Sequence, residues 1–328
     1  MNPLKRILSI DGGGIRGIIP GQIIVEIEKE FRIQVSDYFD LVAGTSTGGI
    51  LACAYLCPDG KSKKPKFSAE QVVDLYFDRG DEIFDIPTFH KIKTMGGILD
   101  EKYPADGIED ALKDYFGDVW LSNLLKPTVI TSYDIKNRKG HFFYQHKAVA
   151  DEYNFKVKDV CRATSAAPTY FECEKVTSKS GEDYPLIDGG VFVNNPALVA
   201  YAEGRELFDI NKRKAKAEDM KILSLGTGYT HKTYHYSKAR NYGMAEWVQP
   251  IIDIMMSGSA EVADYQLRKI YDTTPQPKQY LRLDGDLKGS SVDPEMDCAT
   301  HQNMKALKEY GQQLFKDNKD ALAEWLGL

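Results

Sequence analysis

The stretch "RILSIDGGGIRG" (residues 6–17) decides how the chain must be read. Its apolar run from Ile7 to Ile10 has the form of a buried strand. The residues after Gly17, "IIPGQIIVEIEKEF", carry apolar side chains at helical spacing and end in charge. The glycines therefore occupy a strand-to-helix turn. Gly12, Gly14 and Gly17 satisfy the dinucleotide-binding spacing, and Asp37 stands about 20 positions further on, where such folds place an acid for the ribose. Exposed glycine amides serve other anions equally well. The choice is between a lasting pyrophosphate and some other negative charge, and the rest of the chain has to make it.

Strand and helix patterns alternate along most of the length. "YFDLVAG" (residues 38–44) predicts a second buried strand and "TGGILACAYLC" a small-residue helix after it. Further strands are expected at "KPTVITSYDI", "GHFFYQH" and "KILSLGTG", and helices over residues 69–79, 158–164 and 196–208. In the closing segment "HQNMKALKEYGQQLFKDNKDALAEWL", Met304, Leu307, Leu314, Leu322 and Trp325 follow one helical face, which reads as core packing. Alternating βα units predict an α/β fold with a mainly parallel sheet and helices on both faces. No linker-like stretch divides it, so residues 1–328 are read as a single domain, with "PDGKSKKPK" as a solvated surface loop.

The 328 residues carry a formal net charge of −6, which argues against a nucleic-acid polymer as partner and against attraction to an anionic membrane surface. Any membrane contact is then local and apolar. The sequence has no run of 18 apolar residues to span a bilayer, and its first apolar run leads straight into the glycine turn, without a signal-peptide pattern. The expected location is the cytoplasm. Five widely spread cysteines suit free thiols, and the Cys53–Cys57 pair lacks further ligands at metal-site spacing. No metal is expected.

"GTSTG" (residues 44–48) fits G-x-S-x-G with a strand before it and a helix after it. In such an elbow Ser46 sits on a strained turn at a helix N-terminus, where negative charge is favoured, and Gly44 and Gly48 avoid collisions with neighbouring backbone. The alternative is an ordinary glycine-rich turn. None of the six histidines (His90, His141, His146, His231, His235, His301) lies in a motif that serves a nucleophile. A carboxylate is better placed: in "YPLIDGGVFVNNPALVA", Asp188 directly follows an apolar strand and precedes Gly189 and Gly190. A desolvated Asp188 is basic enough to take the serine proton directly. The oxyanion formed when Ser46 attacks an ester then needs donors, and the amides of Gly12, Gly13 and Gly14 supply them, with Arg16 adding charge or bracing the loop.

These residues resemble the patatin-like phospholipase family, whose marks are a D-G-G-G-x-R-G loop, a G-x-S-x-G elbow and a D-G-G or D-G-A motif. The likeness extends to "ATSAAPTYF" (residues 163–171), "DGGVFVNNPALVA", "LSLGTG" and "MDCATHQNM", and so runs from about residue 5 to about residue 315. It implies a three-layer α/β/α fold, a Ser46–Asp188 dyad without histidine, metal or cofactor, and an oxyanion hole at Gly12 to Gly14 beside Arg16. It further implies hydrolysis of acyl esters of phospholipids, galactolipids or neutral lipids, through transient contact with a membrane surface. Some bacterial members of the family are gated by cyclic nucleotides in phage defence. A small-molecule activator and a bacterial defence role thus remain open, although no nucleotide-binding pattern stands out. Residues 85–104 look irregular; Ile83, Phe84, Ile86, Phe89 and Ile98 make this a lid, a membrane-facing patch or a plain loop. Two rivals stand beside the hydrolase: a dinucleotide-dependent oxidoreductase, and a non-catalytic binding or storage protein on the same fold.

Overall fold

Strand β1 (Lys5–Ile10) lies in the interior of a mainly parallel sheet, which is why Ile7, Leu8 and Ile10 are apolar on both faces: the side chains of both faces are buried. The computed structural model describes residues 4–60, 62–83, 103–230 and 233–328. The other strands of the sheet are β2 (Leu41–Thr45), β3 (Thr128–Asp134), β4 (Lys139–Tyr144), β5 (Glu174–Thr177), β6 (Asp183–Asp188), β9 (Met220–Leu225) and β10 (Tyr280–Leu283). A separate ribbon pairs β7 (Asp209–Ile210) with β8 (Arg213–Lys214). The sheet order is β10-β9-β1-β2-β3-β6-β5, with β4 also on β3. The neighbours from β10 through β3 are all parallel.

Alternation along these strands feeds two cores, one on each face. Leu8, Val42, Ile130 and Leu223 pack beneath helices Ile18–Phe31, Thr47–Leu56, Ala69–Ile83 and His301–Asp317. Ile7, Leu41, Val129 and Ile222 pack beneath helices Ala197–Leu207 and Met244–Asp272. The predicted three-layer α/β/α arrangement is therefore the observed one. Met304, Leu307, Leu322 and Trp325 are buried as their spacing predicted, and Leu314 packs against the same core, although a break at Asn318 splits the segment into two helices.

The topology around β3 places the candidate site residues. Strand β4 pairs along residues 129–134 of β3 and so takes one whole edge. On the other edge, β2 runs parallel as far as Thr45 opposite Thr131, and β6 runs antiparallel as far as Asp188 opposite Ser132. Two strands thus approach each other head-on along a single edge and stop at adjacent residues of β3. The ends of "DLVAGTS" and "YPLID" have nowhere to go but toward each other.

Two local expectations are corrected. The second strand starts at Leu41, because Val35–Tyr38 is a short helix. Helix Met244–Asp272, to which no element was assigned, contains Pro250 and exposes Met244, Val248, Ile251, Ile254 and Met255. A proline and an apolar outer face both obscure the amphipathic pattern from which a surface helix is read. Of the residues proposed for a lid, Ile83 ends helix Ala69–Ile83 and packs on the core, while Phe84, Ile86, Phe89 and Ile98 lie outside the described residues. Among the described residues no helix is long and apolar enough to cross a membrane.

Candidate active site

Ser46 stands between β2 and helix Thr47–Leu56 with φ 54° and ψ −126°, a conformation that non-glycine residues adopt only under constraint. The constraint is visible in its neighbours. A Cβ on Gly44 would lie 2.2 Å from the Gly48 carbonyl oxygen, and one on Gly48 2.2 Å from the Ile10 carbonyl oxygen. Both glycines are required for the helix to start this close to β1 and β2. The Ser46 amide donates to Thr164 Oγ1 at 2.8 Å, and Thr164 Oγ1 in turn donates to the Thr131 carbonyl at 2.6 Å.

Asp188 meets Ser46 from the opposite direction, near enough for the Ser46 side chain to pull the carboxyl pKa down. The Gly190 amide donates to Asp188 Oδ1 at 2.6 Å, and the Asp188 amide donates to the Ala166 carbonyl at 3.0 Å. Gly189 fits only because it has no side chain: a Cβ there would sit 2.1 Å from Thr131 Oγ1. Asp188 is 3% exposed and has no cationic partner among the causes of its shift. Burial pushes its pKa up to about 7 against the opposing pull of the Ser46 and Gly190 hydrogen bonds. A carboxyl group so placed gains and loses a proton near neutral pH.

The glycine loop lies beside this pair, and a Cβ on Gly12 would be 3.2 Å from Ser46 Cβ. Its three amides are not equivalent. The Gly12 amide donates to the Asn194 carbonyl at 3.1 Å and is therefore occupied in tying the loop down. Among the described residues nothing accepts from the Gly13 and Gly14 amides. Arg16 donates to the Gly13 carbonyl through its backbone amide at 3.2 Å and through Nε at 3.4 Å, the bracing alternative for this side chain. Gly14 has φ +59°, and a Cβ there would meet the Met296 carbonyl at 2.1 Å.

Asp37 belongs to helix Val35–Tyr38 and lines a surface cavity with Arg6, near the start of β1, whereas the glycine turn follows the end of that strand. An acid at the opposite end of the strand does not serve a ribose bound at the turn. Of the histidines, His90 and His231 lie outside the described residues. His146 contacts Glu203 at 2.8 Å; His141 packs among Phe143, Phe155 and Tyr184, and burial pulls its pKa down to about 4. Among the described residues, no histidine bonds to Ser46 or Asp188. Thr131, Thr164, Ala166, Asn194 and Thr227 all hold the site together, yet sequence reasoning assigned them no role. Four of them lie within the quoted blocks "ATSAAPTYF", "DGGVFVNNPALVA" and "LSLGTG" or directly after an apolar strand; the signal was the block, not the residue.

Comparison with known proteins shows the family to which the chain is similar. The patatin-like phospholipase family profile matches residues 8–201. Patatin-like protein 3 of Arabidopsis thaliana is 33% identical over 95% of this chain and 81% of its own length. Patatin-08 of Solanum tuberosum is 32% identical over 99% of this chain and 89% of its own. One similar potato protein, 30% identical over 96% of this chain and 87% of its own, is described as a probable inactive patatin, so likeness alone does not establish a working site. The chain belongs to the patatin-like phospholipase family, a family of lipid acyl hydrolases.

Proposed function

We propose that the protein is a serine lipid acyl hydrolase of the phospholipase A type, acting through Ser46 and Asp188. The observation that carries the reading is a strained Ser46 at a helix N-terminus beside a buried carboxylate whose basicity burial has raised to near neutrality. Asp188 takes the Ser46 proton as Oγ attacks the acyl carbonyl carbon, and the oxyanion forms against the Gly13 and Gly14 amides. Collapse of the tetrahedral intermediate breaks the ester C–O bond. The leaving alkoxide recovers its proton from Asp188 and the acyl group stays on Ser46. Water then gives a proton to Asp188 and attacks the acyl-serine, which releases a fatty acid and restores the Ser46 hydroxyl.

The lipid reaches the site through the outer face of helix Met244–Asp272. Its inner face touches the site: Ser259 Oγ accepts from the Asn194 amide at 3.3 Å, and a Cβ on Gly190 would be 3.4 Å from Met256 Cε. Its outer face exposes Met244, Val248, Ile251, Ile254 and Met255, with an apolar groove running from Tyr242 to Ile251 past Trp247. Lys238 and Arg240 precede it, suited to lipid phosphates. The test is incubation with vesicles of mixed phospholipids and mass spectrometry of the products. Wild type releases free fatty acid and Ser46→Ala releases none; equal release by both, or none by either, contradicts the proposal.

A further inference from the structure

Two free amides help an oxyanion only if they are held in one direction, and the structure shows what holds each. In a trans peptide the C=O of one residue and the N–H of the next point oppositely. The Gly13 carbonyl is gripped by Arg16, which sets the Gly14 amide. The Gly12 carbonyl accepts from Thr227 Oγ1 at 2.8 Å and from Asn194 Nδ2 at 3.4 Å. The shorter of these bonds is the one that sets the Gly13 amide.

We propose that Thr227, in the turn after β9, is a positioning residue for the reaction, aiming the Gly13 amide at the developing oxyanion; the inference rests on the serine hydrolase reading above. Its hydroxyl has little freedom to do anything else. Thr227 is 4% exposed, and a Cβ on Gly13 would stand 2.3 Å from Thr227 Oγ1, so the side chain is wedged against the loop it bonds. The turn that carries it is itself anchored. Asp284 Oδ1 accepts from the Gly228 amide at 3.0 Å, and Asp284 Oδ2 pairs with Arg282 at 2.7 Å. Arg282 also pairs with Asp11 at 2.7 Å and donates to Ser224 Oγ at 2.8 Å. The turn after β9 and the loop after β1 are thus cross-braced on both sides of the Thr227–Gly12 bond, and a carbonyl held this way needs no reorganisation during the reaction.

The role is separable from packing by three variants. Thr227→Val keeps the shape and removes the donor, Thr227→Ser keeps the donor and removes a methyl, and Thr227→Ala removes both. Removing an oxyanion donor outright costs about 10² to 10³ in rate, so a donor left in place but released should cost about 10-fold. With a soluble short-chain ester, Thr227→Val and Thr227→Ala should lower kcat about 10-fold with KM within about twofold of wild type. Thr227→Ser should stay within about twofold in both. The apparent pKa of the pH–rate profile should not move, because the base is untouched. Unchanged kcat in Thr227→Val and Thr227→Ala, or equal losses in the serine and alanine variants, overturns the proposal. Ester hydrolysis surviving in Ser46→Ala would instead overturn the reading on which it rests.

Discussion

Asp188→Asn should make the protein more stable while removing its activity. Burial raises the Asp188 pKa from 3.8 to about 7 without a cation to compensate, so the native state resists the charge that the reaction needs. At about 1.36 kcal/mol per unit, that shift corresponds to a penalty of up to about 4 kcal/mol when the group is ionised. Below about pH 4 the carboxyl is protonated in both folded and unfolded chains, and the penalty vanishes. Between about pH 4 and 7 the folded chain holds a proton that the unfolded chain has lost, so wild-type stability falls as pH rises. Above about 7 both are ionised and the penalty is complete. Asparagine carries no charge, yet its Oδ1 still accepts from the Gly190 amide and its Nδ2 can donate to Ser46. Urea denaturation of both proteins from pH 5 to pH 8 measures the difference. The variant's advantage should grow with pH toward several kcal/mol and level off above about 7. An advantage that does not vary with pH, or a variant less stable than wild type at pH 8, refutes the reasoning.

Activity should show the complementary dependence. Only ionised Asp188 accepts the serine proton, so kcat/KM on a soluble ester should rise about tenfold per pH unit below about 7 and then flatten; a plateau reaching down to pH 5 contradicts the assignment of the base. Gly48→Ala should cost about 1–3 kcal/mol or more in denaturant titration and abolish turnover, because the added methyl meets the Ile10 carbonyl at 2.2 Å, a backbone atom that cannot step aside. Near-normal stability in that variant would show that helix Thr47–Leu56 does not need its close approach to β1.

The layers of the fold were legible because β1, β2 and β9 are buried on both faces and read as mainly apolar runs, with glycines close after each. The proposed nucleophile and carboxylate were marked by position: each stands at the end of a strand and beside glycines, in "GTSTG" and "LIDGG". What the sequence does not display is the geometry of β3, whose single edge receives β2 and β6 end to end. Register is a tertiary property, and nothing local in "TVITSYD" announces that Thr131 and Ser132 carry different partners. The glycine loop shows the same division. Spacing marks Gly12, Gly13 and Gly14 as alike, but Asn194, about 180 residues away, occupies the first amide and leaves the other two. Spacing alone also made Asp37 a candidate for the ribose of the rival oxidoreductase reading; a short helix keeps it near the start of the strand instead.

Ser46 is proposed as a nucleophile activated by Asp188. A fluorophosphonate probe followed by intact-mass and peptide mass spectrometry tests it most directly. Wild type should gain one adduct, mapped to Ser46, at a rate that rises with pH through about 7; Ser46→Ala should gain none, and Asp188→Asn should label far more slowly while remaining folded. Full labelling in Ser46→Ala, or undiminished labelling in Asp188→Asn, would contradict the account.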